Sequence, residues 1–559
     1  MKKHTVILGI LLSLQTIACE DVIFRNSLEP AVLTESEASR FLMQASFGPN
    51  TSSIHKLRFE GFENWIDRHT CMPASFITED LLALPEGSSL LTQRLRLNWQ
   101  SYVNAPDQLR QRVAYALSQI FVVSQRGYQC GACPIGIGRY HDTLLEHGLG
   151  NFRDLLEAVT LNPVMGFYLS MLGNARADEL ANTRADENFA REIMQLFSIG
   201  LVMLNQDGSE QLNGLEPIAT YNIEHIKELA KVLTGWNWAG TPSWLFPAAN
   251  QLEPMTVYRE NGDAIYHDFS AKAIIGHAGE SSATMVDAGL SPEADLAFAL
   301  DTIFNHPNVA PFISKQLIQM LVTSNPSAEY IGRVSAVFND DGNGVRGDMA
   351  AVVQAVLLDV EARSELVAQE DGYGQLREPI LRLTHLWRAL DAEFDVGGAS
   401  DNFIFLGLQL GQSPYQAPSV FNFFRPDYQS NFIEPETLVA PVFQINTESN
   451  LVTYQNLLAG IVLNGFSGGA QLSFFHVIMD GERIRNWLLV SNQTLIDNVN
   501  ILFFGGNMSV ALNGTLNDLL NNLANDFGAP DQLSQEALTT RAALLIYVAL
   551  TTAEYLIQK

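Results

Sequence analysis

Apolar side chains recur at intervals of three and four residues through most of the chain, which is the pattern of amphipathic helices. Thr34 and Glu37 form a capping-box pattern and predict a helix that ends near Phe47-Gly48-Pro49. Ser291-Pro292-Glu293 predicts another helix start, because serine caps, proline fits the first turn and the acid favours the helix dipole. The same period follows Glu378-Pro379. It also returns in the tail, at Leu538, Ala542, Leu545 and Ala549.

Two stretches interrupt this helical pattern with proline, glycine and aromatic residues. They run from Ala239 to Gly279 and from about Val396 to Thr447. Long irregular connections inside a compact chain usually serve a function. Between Leu451 and Phe504 the apolar runs are short, so helix and strand both remain open there. Since no linker marks a boundary, the pattern predicts a mostly α fold, a large multi-helical single domain with long irregular loops over residues 35–559.

The N-terminus has the layout of a signal peptide. A basic start precedes an apolar stretch from Val6 to Leu14, which is too short to span a bilayer as a stable helix. Small residues lead to Cys19 as in a bacterial lipobox, although Thr16 stands where leucine is usual. We predict a lipoprotein-type leader over residues 1–18 and a short linker over 19–34. The protein is then exported to the periplasm or outer envelope and anchored by a lipid on Cys19, with ordinary secretion as the alternative.

Export changes the interpretation of the other cysteines, because disulfides persist outside the cytoplasm. Cys130 and Cys133 form a C-x-x-C pair in a segment with glycine. A structural disulfide, within this pair or from one of its members to Cys71, is favoured over a redox site. A redox site would need a βαβ context, which the pattern lacks. The pairing among the three cysteines stays open.

Composition and charge exclude several classes of protein. The 559 residues include 33 basic and 61 acidic side chains, which gives a net charge of -28, and 47% of them are hydrophobic. Such an apolar chain is not disordered. Its negative field repels nucleic acids. The field also repels anionic lipid, so the sequence predicts membrane contact only through the lipid on Cys19.

Two polar clusters could carry chemistry. On a predicted helix over 186–197, Glu187 and Arg191 lie four residues apart and can pair, while Glu192 points to another face. A carboxylate held by a guanidinium could orient a substrate or bind a cation; the alternative is an ion pair that only ties helices together. His267 and Asp268 lie in the first irregular stretch and could act in acid–base chemistry or ligate a metal if both turn inward. Otherwise one of them serves as a cap.

A third cluster resembles half of a calcium-binding loop. Asn339, Asp341 and Asn343 place side-chain oxygens at alternate positions before a glycine-rich turn. The twelfth position is Ala350 instead of a bidentate acid, and Asp348 could either replace that acid or only cap the next helix. A calcium site formed by Asn339, Asp341, Asn343 and Asp348 is therefore one hypothesis, and a plain turn is the other. The chain has no HExxH helix and no Walker loop, so zincin and nucleotide-enzyme functions lack support.

Several phrases, taken in order, resemble one bacterial family. They are Arg40-Phe41-Leu42, 45–49, 150–156, 187–192, Leu233-Thr234-Gly235-Trp236, His267-Asp268, 344–348, 418–423 and 554–558. These motifs resemble the family called domain of unknown function 1800, and the resemblance covers roughly residues 35 to 559. Phe189 and Ser46 stand where tyrosine and threonine are common in that family. The family has no settled activity to carry over.

The resemblance implies an exported protein whose partner has an alkaline-phosphatase or sulfatase-like fold, because such proteins are often encoded beside the family. It also marks 187–192 and His267-Asp268 as places to look for a site. We expect an exported cell-envelope protein that binds or assists an extracytoplasmic partner or substrate, with the aromatic stretch from Phe421 to Tyr428 as its contact surface. The alternative is a metal-assisted hydrolase. In that case Glu187 or Glu192, His267 and Asp268 would act as base, acid or ligands, and Arg191 would orient an anion.

Overall fold

The computed structural model describes residues 32–126, 133–180, 182–394, 402–431, 433, 437–466 and 477–559. The predicted leader, Cys19 and Cys130 lie outside these residues, and so does the side chain of Cys133. The lipid anchor and the disulfide therefore stay predictions. Cys71 is exposed on the surface.

Helices carry the fold, which confirms the mostly α prediction; 24 of them lie in the described part of the chain. The first twelve are α1 (Glu35–Ala45), α2 (Thr51–Glu60), α3 (Phe62–Cys71), α4 (Thr78–Leu82), α5 (Leu90–Asn104), α6 (Gln108–Ile120), α7 (Cys133–His147), α8 (Phe152–Leu161), α9 (Pro163–Tyr168), α10 (Asn188–Gln195), α11 (Ile223–Val232) and α12 (Pro292–Phe304). The second twelve are α13 (Val309–Leu321), α14 (Ala328–Asn339), α15 (Met349–Leu358), α16 (Val360–Arg363), α17 (Pro379–Ala389), α18 (Asn402–Leu410), α19 (Glu448–Asn464), α20 (Gly481–Val490), α21 (Asn492–Phe504), α22 (Val510–Phe527), α23 (Gln535–Leu550) and α24 (Ala553–Leu556).

Strands are short and occur in antiparallel pairs. The pairs are β1 (Leu212–Asn213) with β2 (Glu216–Pro217), β3 (Trp236–Asn237) with β4 (Thr256–Val257), β5 (Lys272–Ile275) with β6 (Ala283–Val286), β7 (Gln375–Leu376) with β10 (Ile557–Gln558), and β8 (Glu393–Phe394) with β9 (Val477–Ile478). The β7–β10 pair ties the C-terminal end of the chain to its middle.

The helix starts predicted from local sequence are confirmed. Thr34 and Glu37 form a reciprocal capping box at α1. Ser291 caps α12, with Pro292 in its first turn. Asp348 caps α15 by accepting the Ala351 N–H bond at 3.0 Å. These signals depend on residues within one helical turn, so the sequence alone determines them.

The second irregular stretch is more regular than the sequence pattern indicates, because α18 lies within it. Phe403, Leu406 and Leu410 of α18 are all buried, at the spacing of one helix face. Further on, the ambiguous run from Leu451 to Phe504 contains the helices α19, α20 and α21 and the short strand β9. Tertiary packing, which the local pattern does not encode, decides these elements.

The buried side chains form one hydrophobic cluster that extends from Ala38 to Tyr555. The C-terminal end packs into it, since the Tyr555 hydroxyl donates to the Arg382 carbonyl at 2.8 Å and the Arg377 guanidinium lies over the Tyr555 ring. Every helix that the structure describes is either too short or too polar to cross a bilayer.

Candidate functional site

An open groove lies between α13, the loop 199–210 and the segment 420–427, and we call it the amide groove. Its volume is about 480 Å³, which is within the range of ligand-binding sites. Most of its lining residues are apolar, among them Leu201, Phe312 and Phe421. Carboxamide side chains supply much of the polar lining. They are Gln119, Gln195, Gln316, Gln319 and Asn422.

The loop 199–210 forms one wall of the amide groove and is fixed by Asn308, at the start of α13. The Asn308 amide nitrogen donates to the carbonyls of Ile199 at 2.8 Å and Val202 at 2.7 Å, and its oxygen accepts the Leu204 N–H bond at 2.9 Å. Gly200 has a φ of 72°, and any larger residue at this position would place its Cβ 2.8 Å from the Phe312 ring. Glycine is therefore required where this wall meets α13.

The segment 420–427 forms the opposite wall and is held by side chains from distant parts of the sequence. Asn422, at a φ of 64°, donates to the Gln119 side-chain oxygen at 3.0 Å. Gln319 donates to the Pro426 carbonyl at 3.3 Å. Phe421 remains 48% exposed at the edge. The aromatic stretch that the sequence suggested as a contact surface thus borders the amide groove.

Gln316 lines the groove with an unsatisfied polar group. The side chain is 8% exposed, and its amide nitrogen has no hydrogen-bond partner among the described residues. A buried amide without a partner costs about 1–3 kcal/mol. Because this nitrogen is itself buried, a ligand acceptor would offset that cost once the Gln316 side chain turns into the groove.

Charges at the rim of the groove are balanced. Glu210 and Asp427 supply two carboxylates, while Lys315 and Arg425 supply two cations. Arg425 and Asp427 pair with each other at 3.2 Å. The groove therefore lacks the strong negative field of the chain as a whole, and it does not select a highly charged ligand.

A buried polar network supports the floor of the groove. Glu378, which is 4% exposed, accepts hydrogen bonds from the Tyr115 hydroxyl at 2.6 Å, the Gln119 amide at 3.1 Å and the Gln412 amide at 2.5 Å. The fully buried guanidinium of Arg112 lies in its electrostatic field, although burial lowers the pKa of Arg112. Through Gln119, this network positions Asn422.

The residues predicted on α10 have separate surroundings. Glu187 and Arg191 do pair, at 3.7 Å, and both are partly exposed. Glu192 is 6% exposed, and one of its oxygens has no hydrogen-bond partner within the described residues. Burial raises the pKa of the Glu192 carboxyl, with Arg191 opposing the shift, and burial raises the pKa of nearby Tyr221 to about 12.

We expect Glu192→Gln to raise the melting temperature at pH 8 and to leave it unchanged near pH 4. The folded-state pKa of Glu192 lies above the ordinary value of 4.5, so folding favours the protonated carboxyl. Its contribution to stability is present below that ordinary value and is lost as pH rises. Thermal unfolding across pH measures the difference. Glu187→Gln, at the more exposed neighbour, is the matched control and should give no such pH-dependent gain.

His267 lies in a closed cluster on the inner side of the first irregular stretch. The side chain is fully buried, and its Nδ1 and Nε2 atoms lie 2.9 Å from the Thr234 carbonyl and 3.0 Å from the Asp295 carboxylate. Lys272, itself 1% exposed, donates to the same Asp295 oxygen at 2.5 Å. Both ring nitrogens of His267 are therefore engaged with protein acceptors.

Asp268 turns away from this cluster, as the sequence allowed for one of the two residues. Its carboxylate accepts hydrogen bonds from the backbone and hydroxyl of Ser270 at 2.8 and 2.6 Å. Serine donation to the ionised form keeps the pKa of Asp268 low, against the effect of burial. Asp295 is the group that sequence reasoning missed, because an acid in the first turn of α12 looks like an ordinary helix-dipole partner.

The loop 339–348 folds as a turn stabilised by its own acids. Asp341 accepts hydrogen bonds from the side-chain amide of Asn343 at 3.1 Å and from the backbone N–H groups of Asn343 at 2.8 Å and Val345 at 3.0 Å, which lower its pKa. Asn339 accepts from Arg346, and Asp348 caps α15. No group of three or more His, Cys, Asp or Glu side chains is placed to hold a metal ion within the described ranges. Calcium binding at this loop stays a prediction.

The segment Gly465-Phe466-Ser467-Gly468-Gly469 matches the G-x-S-x-G pattern of many serine hydrolases. That pattern carries a nucleophile only where the serine follows a strand and opens a helix. Here the preceding element is the helix α19, and Ser467 lies outside the described residues. The motif alone is therefore weak support for a hydrolase.

Fold and groove together define a mostly α-helical protein with an apolar cleft lined by carboxamides. The chain belongs to the family described as Protein of unknown function (DUF1800), whose sequence model matches residues 40–557. The family resemblance read from the sequence phrases is thereby confirmed. No curated protein and no solved structure matches the chain significantly.

Proposed function

We propose that the protein is a binding or assembly factor of the cell envelope that holds an extended, apolar segment of a partner protein in the amide groove. The observation that carries this proposal is the open cleft of about 480 Å³, in which buried carboxamides stand among apolar side chains. The export and the lipid on Cys19 belong to the same proposal and rest on the sequence of the N-terminus. The partner of alkaline-phosphatase or sulfatase-like fold also belongs to it and rests on the family resemblance.

The lining of the groove favours a peptide as the occupant. A carboxamide both donates and accepts, so it complements the N–H and C=O groups that recur along an extended backbone. The unsatisfied amide of Gln316, once its side chain turns into the groove, would find an acceptor in a peptide carbonyl. The apolar walls at Leu201, Phe312 and Phe421 suit the alternate side chains of such a segment. A saccharide would bring a hydroxyl at nearly every carbon and find too few polar partners.

Binding is better supported than metal-assisted hydrolysis. The proposed general base His267 has no exposed surface and already contacts two acceptors, while Glu187 and Arg191 pair with each other. By contrast, the amide groove is open and offers a ligand both apolar walls and polar side chains.

A displayed library of random linear peptides tests the proposal. The full chain is expected to enrich peptides with apolar residues at alternate positions, because alternate side chains of an extended segment face the same wall. Leu201→Asp/Phe421→Asp, which places two charges at the groove edge, should weaken binding of an enriched peptide by about tenfold or more. The affinity is measured by fluorescence anisotropy of the labelled peptide.

Leu366→Asp/Val510→Asp is the matched control, since those two side chains are 79% and 91% exposed and do not line the groove. It should bind the peptide like the unmodified chain. The proposal fails if no peptide is enriched, or if both double variants lose affinity equally.

A further inference from the structure

A second feature, independent of the amide groove, is a hydrophobic loop at residues 241–248, which we call the WLF loop. Its tip carries Trp244, Leu245 and Phe246, and Leu245 and Phe246 are 76% and 83% exposed. Consecutive large apolar side chains that point into solvent are unusual on a soluble surface and mark a protein or membrane contact.

Hydrogen bonds and a ring contact within and beneath the WLF loop fix its conformation. The Thr241 hydroxyl donates to the Ser243 carbonyl at 3.1 Å and accepts the Ala248 N–H bond at 3.0 Å. The Ser243 hydroxyl accepts the Phe246 N–H bond at 3.2 Å. Beneath the tip, the Trp244 ring stacks on Tyr266 with 4.0 Å between centroids. These contacts hold the backbone of the loop while leaving Leu245 and Phe246 outside.

The charge pattern distinguishes a lipid surface from other occupants. No charged residue occurs between Lys231 and Glu253, although the chain has a net charge of -28. Inserting a charged group into a bilayer is costly, and the acidic body is repelled by anionic headgroups. An uncharged tip that exposes leucine and phenylalanine, above a tryptophan packed on the body, has the composition of segments that enter the bilayer interface.

We propose that the WLF loop inserts into the interface of a zwitterionic phospholipid bilayer. This contact adds a second attachment point to the lipid predicted on Cys19, and two points of attachment fix the orientation of the body relative to the membrane. The proposal does not depend on peptide binding, because the amide groove is lined by other residues.

Flotation with phosphatidylcholine vesicles tests this inference on the full chain carrying Cys19→Ser, which cannot be acylated at that position. The chain is expected to float with the vesicles, and Leu245→Ser/Phe246→Ser should lower its partition coefficient by about tenfold or more. Leu366→Ser/Val510→Ser, two equally exposed apolar positions elsewhere, should leave the coefficient unchanged. Circular dichroism confirms that each variant is folded.

Replacing part of the lipid with phosphatidylglycerol should weaken binding, because the acidic body meets an anionic surface. The inference is overturned if the chain does not bind phosphatidylcholine, if the loop and control variants bind alike, or if binding needs anionic lipid. A fourth outcome would also overturn it. If neither the Cys19→Ser chain nor its loop variant binds vesicles, and the loop variant abolishes self-association of the chain, then the WLF loop contacts a second copy of the protein.

Discussion

Asp295→Ala is expected to lower the free energy of unfolding by about 3–5 kcal/mol, the loss typical of breaking a buried ion pair. Asp295 and His267 are fully buried, Lys272 is 1% exposed, and the Asp295 carboxylate is the shared acceptor of both. Removing it leaves the Lys272 ammonium inside the protein without its counter-charge. Urea denaturation followed by circular dichroism measures the change.

Two further variants identify the cause of that loss. Asp301→Ala removes an acid that pairs with Arg153 at 2.6 Å but is 61% exposed, so it should cost less than about 1 kcal/mol. Lys272→Met added to Asp295→Ala should restore part of the stability, because no unpaired charge then remains buried. Equal losses at Asp295 and Asp301 would contradict the buried-pair account of this cluster.

Glu378→Ala should also be strongly destabilising, by about 1–3 kcal/mol for each buried donor that it leaves without an acceptor. Three hydrogen bonds lose their acceptor, including the one from Gln119. Gln119 holds Asn422 at the groove, so the variant is also expected to lower the affinity for the enriched peptide by about tenfold. Urea denaturation and fluorescence anisotropy report the two effects separately.

Glu370→Ala, an exposed acid between α16 and α17, is the control for Glu378 and should change neither quantity. A less severe change, Glu378→Gln, keeps the shape of the side chain and should retain more peptide affinity than the alanine variant. If Glu378→Ala keeps full affinity while losing stability, the network supports the core and does not position the groove.

Local signals account for the parts of the fold that could be predicted. The caps at Thr34 and Ser291 depend on neighbours within one turn and appear as expected, and Asp348 forms the cap that was one of its two alternatives. By contrast, α18 lies in a stretch rich in aromatic residues, where burial of Phe403 and Leu406 decides the conformation. Packing against distant elements is not encoded in a window of ten residues.

In the candidate site, too, some features follow from local sequence and others depend on contacts between distant parts of the chain. The aromatic segment near Phe421 could be singled out from the sequence because proline and aromatic residues interrupt the helical pattern there. Gln119 and Gln316 could not be identified as groove residues, since polar residues on amphipathic helices normally face solvent. Their role depends on pairing across the chain, as between Gln119 and Asn422, which are 303 positions apart. The contacts of His267 were equally hidden from the sequence, because Asp295, 28 positions away, bonds both His267 and Lys272.

Hydrogen–deuterium exchange of the full chain, with and without an enriched peptide, tests the central claim most directly. If the amide groove holds the peptide, exchange should slow in the loop 199–210, in α13 and in the segment 420–427, and should stay unchanged around His267. Protection confined to the region of His267, or no protection anywhere in the three groove segments, would contradict the account.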